Sequence, residues 1–238
     1  MTDKAKILVI EDEAAIRNGI IDVLVYHGFE ADAAEDGVSG LTKALTGAYD
    51  LILLDIMLPG KNGFEICQSV RQKFPEQAII MLTAKTAEED IIEGLSSGAD
   101  DYVAKPFSVT QLMLRIKAVL RRTKVQDGTD DKIILGPEVT LDPLNLTGDI
   151  HGSLQKFTRK EMDILTYLRA HPKRPVPRNE LLNKVWGYDP ELVLETRTVD
   201  IHVAKIRRKL EKKPSNPIYL LTIRGAGYRL MTTTGSDL

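Results

Sequence analysis

Acidic, hydroxyl and basic residues directly follow four short apolar runs in the first half of the chain. The runs occupy residues 7–10, 51–54, 78–82 and 102–104. The residues that follow them are Glu11 and Asp12, Asp55, Thr83, and Lys105. Short apolar runs that alternate with longer amphipathic segments predict buried parallel strands joined by helices. Because open parallel sheets bind ligands at the carboxyl ends of their strands, we expect these five side chains to converge.

Three carboxylates in one site require positive charge beside them. Two carboxylates about 4–5 Å apart repel each other by roughly 3–4 kcal/mol at an effective dielectric near 20. Lys105 can offset one charge, and the remaining oxygen ligands suit a hard divalent ion such as Mg²⁺ or Mn²⁺. Metal and lysine would also keep Asp55 ionised, as a nucleophile must be. The predicted chemistry is in-line attack of Asp55 on a phosphoryl group.

The same acids could in principle serve three other roles. A glycoside hydrolase needs two carboxylates across a sugar cleft, but no aromatic-rich groove is indicated in this half and aromatic residues make up only 5% of the chain. A haloacid-dehalogenase-like phosphatase needs a second Asp two residues after the nucleophile, where this chain has Met57, which argues against rapid turnover. The acids could also be surface residues that cap helices, as Asp12 could before a helix starting at 14.

Five strand–helix units precede residue 123. The predicted strands are 7–10, 30–34, 51–54, 78–82 and 101–104, and the predicted helices are 14–27, 37–46, 63–73, 87–97 and 108–122. This alternation predicts an α/β fold with a doubly wound, five-stranded parallel sheet and right-handed crossovers. Glycines such as Gly37 and Gly63 fall at the predicted junctions, where turns and helix ends favour them.

Charge and composition divide the chain into two domains. Residues 1–122 contain 13 Lys and Arg against 19 Asp and Glu, whereas residues 123–238 contain 19 against 15, so an acidic half precedes a basic one. The polar residues 123–132 predict a flexible linker between domains at 1–122 and 133–238. Cys67 is the only cysteine, and neither a signal peptide nor a membrane span is apparent, so we expect a cytoplasmic protein.

The basic half shows three helices and a hairpin. Thr158 and Glu161 predict a capping box, and a second helix is expected through Glu180 to Trp186. The third helix has a predicted buried stripe and an opposite polar arc. The stripe is Val199, Val203, Ile206 and Leu210, and the arc is Thr198, His202, Lys205, Arg208, Lys209 and Lys212. Ile201 lies within the arc, and we hypothesise that it contacts thymine methyl groups in the major groove.

A β-hairpin is predicted after the third helix. Residues 219–224 and 228–230 flank Gly225-Ala226-Gly227, and Arg224 at the tip is suited to a narrow minor groove. Three helices followed by such a hairpin predict an α+β winged helix-turn-helix domain that binds double-stranded DNA. The charges alone could instead belong to a solvated helix surface.

Four motifs in the acidic half resemble the receiver domain of a two-component response regulator, with a flavodoxin- or CheY-like fold. They are Val-Ile-Glu-Asp-Glu at 9–13, Leu-Leu-Asp-Ile-Met-Leu-Pro at 53–59, Leu-Thr-Ala at 82–84 and Gly-Ala-Asp-Asp-Tyr-Val-Ala-Lys-Pro-Phe at 98–107. The resemblance covers residues 5–122. It implies that Asp55 accepts a phosphoryl group from a phosphohistidine of a sensor histidine kinase. It also implies a magnesium ion held by Asp12, Asp55, the Met57 carbonyl and, through water, Glu11. Thr83 and Tyr102 resemble the switch pair of the family, and the bond before Pro106 is expected to be cis.

The same resemblance implies a homodimer formed on phosphorylation. Its surface would comprise the helix at 87–97, the strand at 101–104 and the helix at 108–122. Asp100, Asp101, Arg115 and Arg122 match intermolecular salt-bridge positions, and Ile92 and Leu95 match apolar contacts. Ile91 and Gln111 depart from the family, which usually has a base and an acid there. We hypothesise that Ile91 makes an apolar contact instead of that ion pair.

Residues 133–232 resemble the effector domain of the OmpR/PhoB family. The matching motifs are Arg-Thr-Val-Asp-Ile-His-Val at 197–203 and Thr-Ile-Arg-Gly-Ala-Gly-Tyr-Arg at 222–229. The implied DNA contacts are Arg197, Thr198, Ile201, His202, Lys205, Arg207, Thr222, Arg224 and Tyr228. Ala204 stands where some relatives have a basic residue, so one phosphate contact is not expected.

The two resemblances together imply a cytoplasmic response regulator that acts as a transcription factor, with promoter DNA and RNA polymerase as partners, and not an enzyme. Two alternatives stay open at this point. The chain could be a phosphotransferase or phosphatase that uses Asp55 in turnover. It could also be a constitutive DNA-binding protein whose first domain serves only to dimerise.

Overall fold

The chain forms two compact units in the computed structural model, Met1–Arg121 and Arg122–Leu238, and each is described by itself. The structure describes residues 4–83, 98–120, 132–188 and 197–232. The predicted helix at 87–97 and all but the last residue of the predicted linker lie outside these ranges, so both stay predictions. None of the helices within the ranges is both long enough and apolar enough to cross a membrane.

Five parallel strands form the sheet of the first unit. They are β1 (Lys6–Ile10), β2 (Glu30–Ala34), β3 (Leu51–Asp55), β4 (Ala78–Thr83) and β5 (Asp101–Ala104). Their order in the sheet is β2-β1-β3-β4-β5, and every neighbouring pair is parallel. The predicted doubly wound sheet is therefore confirmed. The central strand β3 is buried along its whole length, as expected of a strand covered on both faces.

Within the described residues, helices follow four of the five strands. They are α1 (Ala14–Tyr26), α2 (Gly37–Ala44), α3 (Gly63–Lys73) and α4 (Val109–Leu120). The Asp36 carboxylate caps α2, and Asn62 with Glu65 forms a capping box on α3. The cap position of α1 is Glu13 and not Asp12, and the Glu13 side chain makes no capping hydrogen bond. Asp12 is therefore not the helix cap that the alternative interpretation required.

The second unit begins with a four-stranded antiparallel sheet. Its strands are β6 (Ile133–Gly136), β7 (Val139–Asp142), β8 (Thr147–Ile150) and β9 (Ser153–Lys156). Helix α5 (Arg159–Arg169) follows and starts with the predicted capping box of Thr158 and Glu161. Helix α6 (Arg178–Leu181) continues into a π-helix (Leu182–Trp186), and α7 (Arg197–Leu210) is the third helix.

A β-hairpin completes the second unit. Strands β10 (Leu220–Ile223) and β11 (Gly227–Leu230) are antiparallel, and Arg224 lies in the turn between them. Tyr228 also exchanges two backbone hydrogen bonds with Val176, which anchors the hairpin beside the start of α6. A Cβ at Gly227, which has φ +119°, would lie 2.0 Å from the Val176 carbonyl oxygen, so this strand requires glycine. The predicted winged-helix arrangement is confirmed.

Asp32 on β2 connects three parts of the first unit. Its carboxylate accepts hydrogen bonds from the Lys43 ammonium at 2.8 Å, the Tyr49 hydroxyl at 2.6 Å and the Ala33 backbone N–H at 2.7 Å. Burial alone would raise the pKa of Asp32, but the hydrogen bonds from Lys43, Tyr49 and Ala33 lower it to about 2. Burial and the Asp32 carboxylate raise the pKa of Tyr49 to about 12.

The low pKa of Asp32 predicts a specific loss of stability in acid. Because the folded pKa lies below the usual value of 3.8 for an Asp side chain, the stabilisation is present above that value and is lost as pH falls towards 2. Because the Asp32 side chain is 35% exposed and solvent screens its interactions, we expect it to contribute about 1 kcal/mol to the free energy of unfolding, less than the pKa shift alone would imply. Urea unfolding at pH 5 and pH 3 should show a smaller acid destabilisation in Asp32→Asn than in the wild type. Asp22→Asn, which removes an exposed carboxyl on α1, should behave as the wild type does. Equal pH dependence in Asp32→Asn and the wild type would contradict the assignment.

Candidate functional site

Three carboxylates meet at the carboxyl end of the parallel sheet. Glu11 and Asp12 follow β1, Asp55 ends β3, and one oxygen from each lies within 4.8 Å of the others. Glu11 and Asp55 are buried, whereas Asp12 is exposed. The structure therefore brings together the three acids that the sequence places after separate strands. One acid open to solvent beside two buried ones leaves a route by which an ion or a phosphoryl donor can enter.

Lys105 supplies the positive charge expected at this cluster. Its ammonium donates to Glu11 Oε2 at 2.7 Å and to Asp55 Oδ2 at 2.8 Å, and only 14% of its side chain is exposed. The other Asp55 oxygen accepts the Met57 backbone N–H at 3.1 Å. Both oxygens of Asp55 are thus oriented by donors, which fixes the carboxylate plane.

The charge of the cluster remains unbalanced after this pairing. Burial raises the pKa of Glu11, the Lys105 hydrogen bond lowers it, and the negative charge of Asp55 raises it again, with a net upward shift. Burial lowers the pKa of Lys105, but its bonds to Asp55 and Glu11 outweigh this effect and raise it. Three carboxylates and one ammonium sum to −2. The Glu11 oxygen that does not bind Lys105, Oε1, is buried and has no hydrogen-bond partner among the residues that the structure describes.

These features match a site for a hard divalent cation. The donors are carboxylate oxygens, the uncompensated charge is −2, and a buried oxygen requires a partner. Magnesium binds such oxygen sets through one or two carboxylates while it keeps several waters. Exposed Asp12 offers the side from which those waters would reach the ion.

The expected switch residues lie on the two strands beside the site. Thr83 ends β4 and Tyr102 lies in β5, and both side chains are buried. Tyr102 pairs with Met81, so it shares a sheet face with Thr83, two residues farther along β4. The Thr83 carbonyl accepts the Lys105 backbone N–H at 2.6 Å, which connects the hydroxyl residue directly to the lysine. The bond between Lys105 and Pro106 is cis, as expected.

Close backbone approaches fix the loop that follows Asp55. A Cβ at Gly63 would lie 2.2 Å from the Asp55 carbonyl oxygen, and a Cβ at Gly37 would lie 1.9 Å from the Lys61 carbonyl oxygen. Glycine is therefore required at both positions, which hold the loop against the starts of α3 and α2. The sequence placed these glycines at junctions but gave no sign of the contacts.

Sequence reasoning missed Arg17, one turn into α1. Its guanidinium Nη1 donates to the backbone carbonyl oxygens of Glu11 at 2.7 Å and of Asp12 at 3.0 Å. The only sequence signal was a basic residue one helical turn after an acidic motif. This side chain holds the backbone of the loop that carries two of the three carboxylates.

The residues expected at a dimer surface are described only in part. Arg115 Nη1 donates to both oxygens of Asp101 at 2.9 and 2.8 Å, and Asp101 is fully buried. Asp100 is likewise buried and accepts from Arg71 at 2.7 Å and from the Ile79 N–H at 2.8 Å. Gln111 is exposed on α4. Ile91, Ile92, Leu95 and Arg122 lie outside the described residues. Intermolecular roles for this set stay predictions, and the structure shows that Asp100 and Asp101 already have partners in the same chain.

Helix α7 buries more than the predicted stripe. Val199, Val203, Ile206 and Leu210 are buried as expected. The prediction that the other side of the helix faces solvent is wrong for Thr198, Ile201, His202 and Lys205, which are at most 8% exposed. The His202 ring packs edge to face on Trp186 with centroids 5.1 Å apart, and its Nδ1 bonds the Thr198 carbonyl at 2.8 Å. Because α7 packs against both α5 and α6, two helices cover a wider arc than one stripe predicts.

The basic residues near the end of α7 have partners within the domain. Lys209 donates to Glu161 at 2.6 Å, and Lys212 donates to Glu138 at 2.6 Å. Arg207 donates to the Leu220 carbonyl at 2.9 Å and to the Thr222 hydroxyl at 2.7 Å, so it connects α7 with β10. Only part of the expected positive arc is therefore available to a ligand. The side chain of Arg197 lies outside the described residues.

The hairpin residues differ in exposure. Thr222 and Arg224 are exposed, as a DNA-contacting wing requires. Tyr228 is only 3% exposed, so it could reach DNA only after becoming exposed, and its contact stays a prediction. Its hydroxyl donates to Asp200 at 2.5 Å and accepts from Arg178 at 3.0 Å. Burial and the Asp200 carboxylate raise the pKa of Tyr228 to about 12, which keeps the hydroxyl protonated.

Sequence reasoning also missed the residue that holds the connection from α7 to the hairpin. The buried Glu211 carboxylate accepts the backbone N–H groups of Ile218, Tyr219 and Leu220 at 2.9, 3.0 and 2.8 Å. One side chain thus orients three consecutive amides at the start of the wing. An acid just after an amphipathic helix carries no sequence signal for this role, because its partners are backbone groups.

Two family models match the chain in the order of its two units. The response regulator receiver domain matches residues 7–117, and the C-terminal domain of transcriptional regulatory proteins matches residues 152–230. The receiver match contains every acid of the cluster together with Thr83 and Lys105. The second match contains all three helices and the hairpin of the second unit.

Full-length relatives have the same organisation. The chain is 39% identical over 226 residues to the sensory transduction protein RegX3 of Mycolicibacterium smegmatis, which covers 94% of this chain and 98% of that protein. It is 40% identical over 233 residues to the alkaline phosphatase synthesis transcriptional regulatory protein PhoP of Bacillus subtilis, with coverages of 94% and 96%.

Solved structures agree with these relatives. A RitR mutant is 27% identical with a TM-score of 0.72, covering 96% of this chain and 99% of that one. The response regulator DrrB of Thermotoga maritima, described as an OmpR/PhoB homolog, is 30% identical with a TM-score of 0.51, covering 96% and 100%. With a receiver unit, a transcriptional regulatory unit and relatives of this kind, the chain belongs to the OmpR/PhoB family of two-component response regulators.

Proposed function

We propose that Asp55 is the phosphoacceptor of this transcription regulator and that its phosphorylation controls promoter binding. The observation that carries the proposal is the orientation of Asp55, whose two carboxylate oxygens are held by Lys105 and by the Met57 backbone N–H. An Asp55 oxygen would attack the phosphorus of a phosphohistidine on a sensor histidine kinase. The phosphorus–nitrogen bond breaks, the imidazole leaves, and an acyl phosphate remains on Asp55.

The acidic cluster supports a role for Mg²⁺, or Mn²⁺, in this reaction. Asp12, Asp55 and the Met57 backbone carbonyl would hold the ion, with Glu11 bound through water. When bound, the ion offsets charge on the oxygens of the transferred phosphoryl group. Lys105 would contribute a second positive charge through its bond to Asp55 Oδ2. Burial of Glu11 and Asp55 strengthens both effects, because electrostatic interactions are stronger in a low dielectric.

Phosphorylation would act through the neighbouring strands. A phosphoryl group brings almost two negative charges and three acceptor oxygens, enough to bias two packings that differ by a few kcal/mol. Thr83 is placed to donate its hydroxyl to such a group, and Tyr102 on the same sheet face would follow the movement. The surface that responds would pair with its counterpart in a second copy to form a homodimer, with Asp100, Asp101, Arg115 and Arg122 at the contact.

The second unit would bind double-stranded promoter DNA through α7 and the hairpin. Exposed Thr222 and Arg224 support contacts from the wing, and Arg197 and the half-buried Arg207 would contribute from the helix. Thr198, Ile201, His202, Lys205 and Tyr228 could touch DNA only after becoming exposed, so their contacts stay predictions. Dimerisation would raise occupancy by linking two such domains.

The remaining partners follow from this role. A regulator that binds promoters would act with RNA polymerase in the cytoplasm, and it would serve as a switch rather than as a turnover enzyme. Met57 supports the switch, because its apolar side chain offers no second carboxylate beside Asp55 to promote hydrolysis.

Phosphorylation of Asp55 can be tested with Mg²⁺ and a small acyl phosphate donor. We expect intact-mass analysis to show one phosphoryl group on each wild-type chain and none on Asp55→Asn. Asp50→Asn is the matched control, since Asp50 precedes the opposite end of the same strand. Continuous release of phosphate without a stable modified chain would favour the turnover enzyme.

A double-mutant cycle tests the dimer surface. Because Ile91 is expected to make an apolar contact, Ile91→Lys should weaken the phosphorylated dimer, whereas Gln111→Glu alone should change its affinity little. The double variant should dimerise up to about fivefold more tightly than Ile91→Lys alone, since an exposed ion pair contributes about 0–1 kcal/mol. Sedimentation velocity of the phosphorylated chains measures each affinity. Additive effects of the two substitutions would contradict pairing of these positions across the dimer.

Salt dependence tests the wing. Arg224→Ala should weaken binding to a duplex selected from a random pool and reduce the slope of log affinity against log salt by about 0.9. Lys213→Ala removes an exposed positive charge between α7 and β10 and should leave the slope unchanged. An unchanged slope in Arg224→Ala would exclude a phosphate contact. Equal DNA affinity of Asp55→Asn and the phosphorylated wild type would instead support a constitutive DNA-binding protein.

A further inference from the structure

We propose that Arg17 is a positioning residue for the metal site. It acts by holding the backbone of Glu11 and Asp12, which carry two of the three carboxylates. This inference rests on the proposed Mg²⁺-dependent phosphorylation of Asp55 and extends it to a residue outside the acidic cluster. Arg17 would hold the loop after β1 so that the carboxylates of Glu11 and Asp12 face Asp55.

The contacts of Arg17 are directed at that loop. Its Nη1 donates to the Glu11 carbonyl at 2.7 Å and to the Asp12 carbonyl at 3.0 Å. Its Nη2 lies 3.8 Å from the Glu35 carboxylate, which is 77% exposed, whereas the Arg17 side chain is only 14% exposed. The guanidinium thus bridges two successive carbonyl groups from a largely buried position. Both carbonyl bonds come from one nitrogen, Nη1, while Nη2 faces Glu35, and the rigid guanidinium plane holds the two nitrogens in this arrangement.

The loop needs such support because, apart from the Glu11 N–H bond to the Ala34 carbonyl at 3.1 Å, few backbone contacts in the described part of the chain hold its shape. Helix α1 begins at Ala14, and its cap residue Glu13 makes no side-chain capping bond. Two neighbouring side chains of the loop carry negative charge and lie beside a third carboxylate, so repulsion acts to separate them. Arg17 is placed one turn into α1 by the bond from its backbone N–H to the Glu13 carbonyl at 2.9 Å. From there it reaches back to the loop.

Arg17 acts differently from Lys105. The Lys105 ammonium bonds carboxylate oxygens and neutralises charge directly. Arg17 bonds the carbonyls behind those carboxylates, and its ion-pair partner in the described part of the chain is Glu35, not a member of the cluster. Loss of Arg17 should therefore loosen the ligand geometry without removing a charge from the reacting group. Groups that orient metal ligands in this way typically contribute 10- to 100-fold to metal affinity.

The experiment compares Arg17→Ala, Arg17→Lys and the control Asn18→Ala in the full chain. Asn18 is the exposed neighbour of Arg17 on the same helix. Calorimetric titration with Mg²⁺ alone should show 10- to 100-fold weaker binding by Arg17→Ala, a smaller loss for Arg17→Lys and wild-type binding by Asn18→Ala. The Mg²⁺ concentration that gives half-maximal phosphorylation by a small acyl phosphate should rise in the same order. The rate at saturating Mg²⁺ should stay within about twofold of wild type.

Magnesium affinity of Arg17→Ala within twofold of wild type would overturn the inference, as would a lower saturated rate with an unchanged half-maximal concentration. If Arg17→Ala does not fold, Arg17→Lys decides, because the lysine side chain is one bond shorter than the path to Nη1 and has no second nitrogen to face Glu35, so wild-type affinity would count against positioning. Failure of the wild type to be phosphorylated on Asp55 would refute the proposed function instead, and the calorimetric comparison would still test Arg17.

Discussion

The double ion pair of the Lys105 ammonium is the interaction on which the receiver site depends. Glu11 and Asp55 lie 94 and 50 residues away in the chain, yet both carboxylates bind the same nitrogen. Strand β4 separates β5 from β3, so the lysine must span about 10 Å between strand axes, which requires its long side chain. Buried charges without partners cost several kcal/mol. The strand order that brings Lys105 to Glu11 and Asp55 is therefore also what provides these two buried carboxylates with a positive partner.

The parts of this site that the sequence reveals are those with a periodic or chemical signature. Apolar runs of strand length place Glu11, Asp55 and Lys105 at strand ends, and parallel order then brings them together. The supporting contacts have no such signature. Arg17 and Gly63 act on backbone carbonyl groups, which every residue possesses, so nothing in the residue types indicates which carbonyl is the partner. The same holds for Glu211 and its three amides.

The effector unit shows where helical periodicity falls short. The pattern locates one buried stripe on α7 correctly, because a helix against a single layer buries one face. This helix instead contacts two helices and is tied to a hairpin, and residues such as His202 become core residues. The burial of Tyr228 is hidden from the sequence for a related reason. Its hydroxyl is bonded by Arg178 and Asp200, 50 and 28 residues away, and a tyrosine near a hairpin tip looks the same in sequence whether it is buried or exposed.

Charge balance also explains why the proposed signal should travel towards β4 and β5. Three carboxylates, one lysine and one divalent cation sum to zero, so the site before phosphorylation would be neutral. Acylation removes the negative charge of the Asp55 carboxylate, whereas the phosphoryl group carries about −1.5 to −2 charges at neutral pH, so the site would become negative by about 0.5 to 1 charge and would gain three acceptor oxygens. New hydrogen-bond donors must come from side chains at the same edge of the sheet. The Thr83 carbonyl accepts the Lys105 backbone N–H, which places this hydroxyl residue at that edge beside the lysine. Thr83 lies on β4, which pairs with β5, the strand that carries Asp101 and Tyr102. A movement of Thr83 would therefore affect both residues and, through the bond from Arg115 to Asp101, also Arg115.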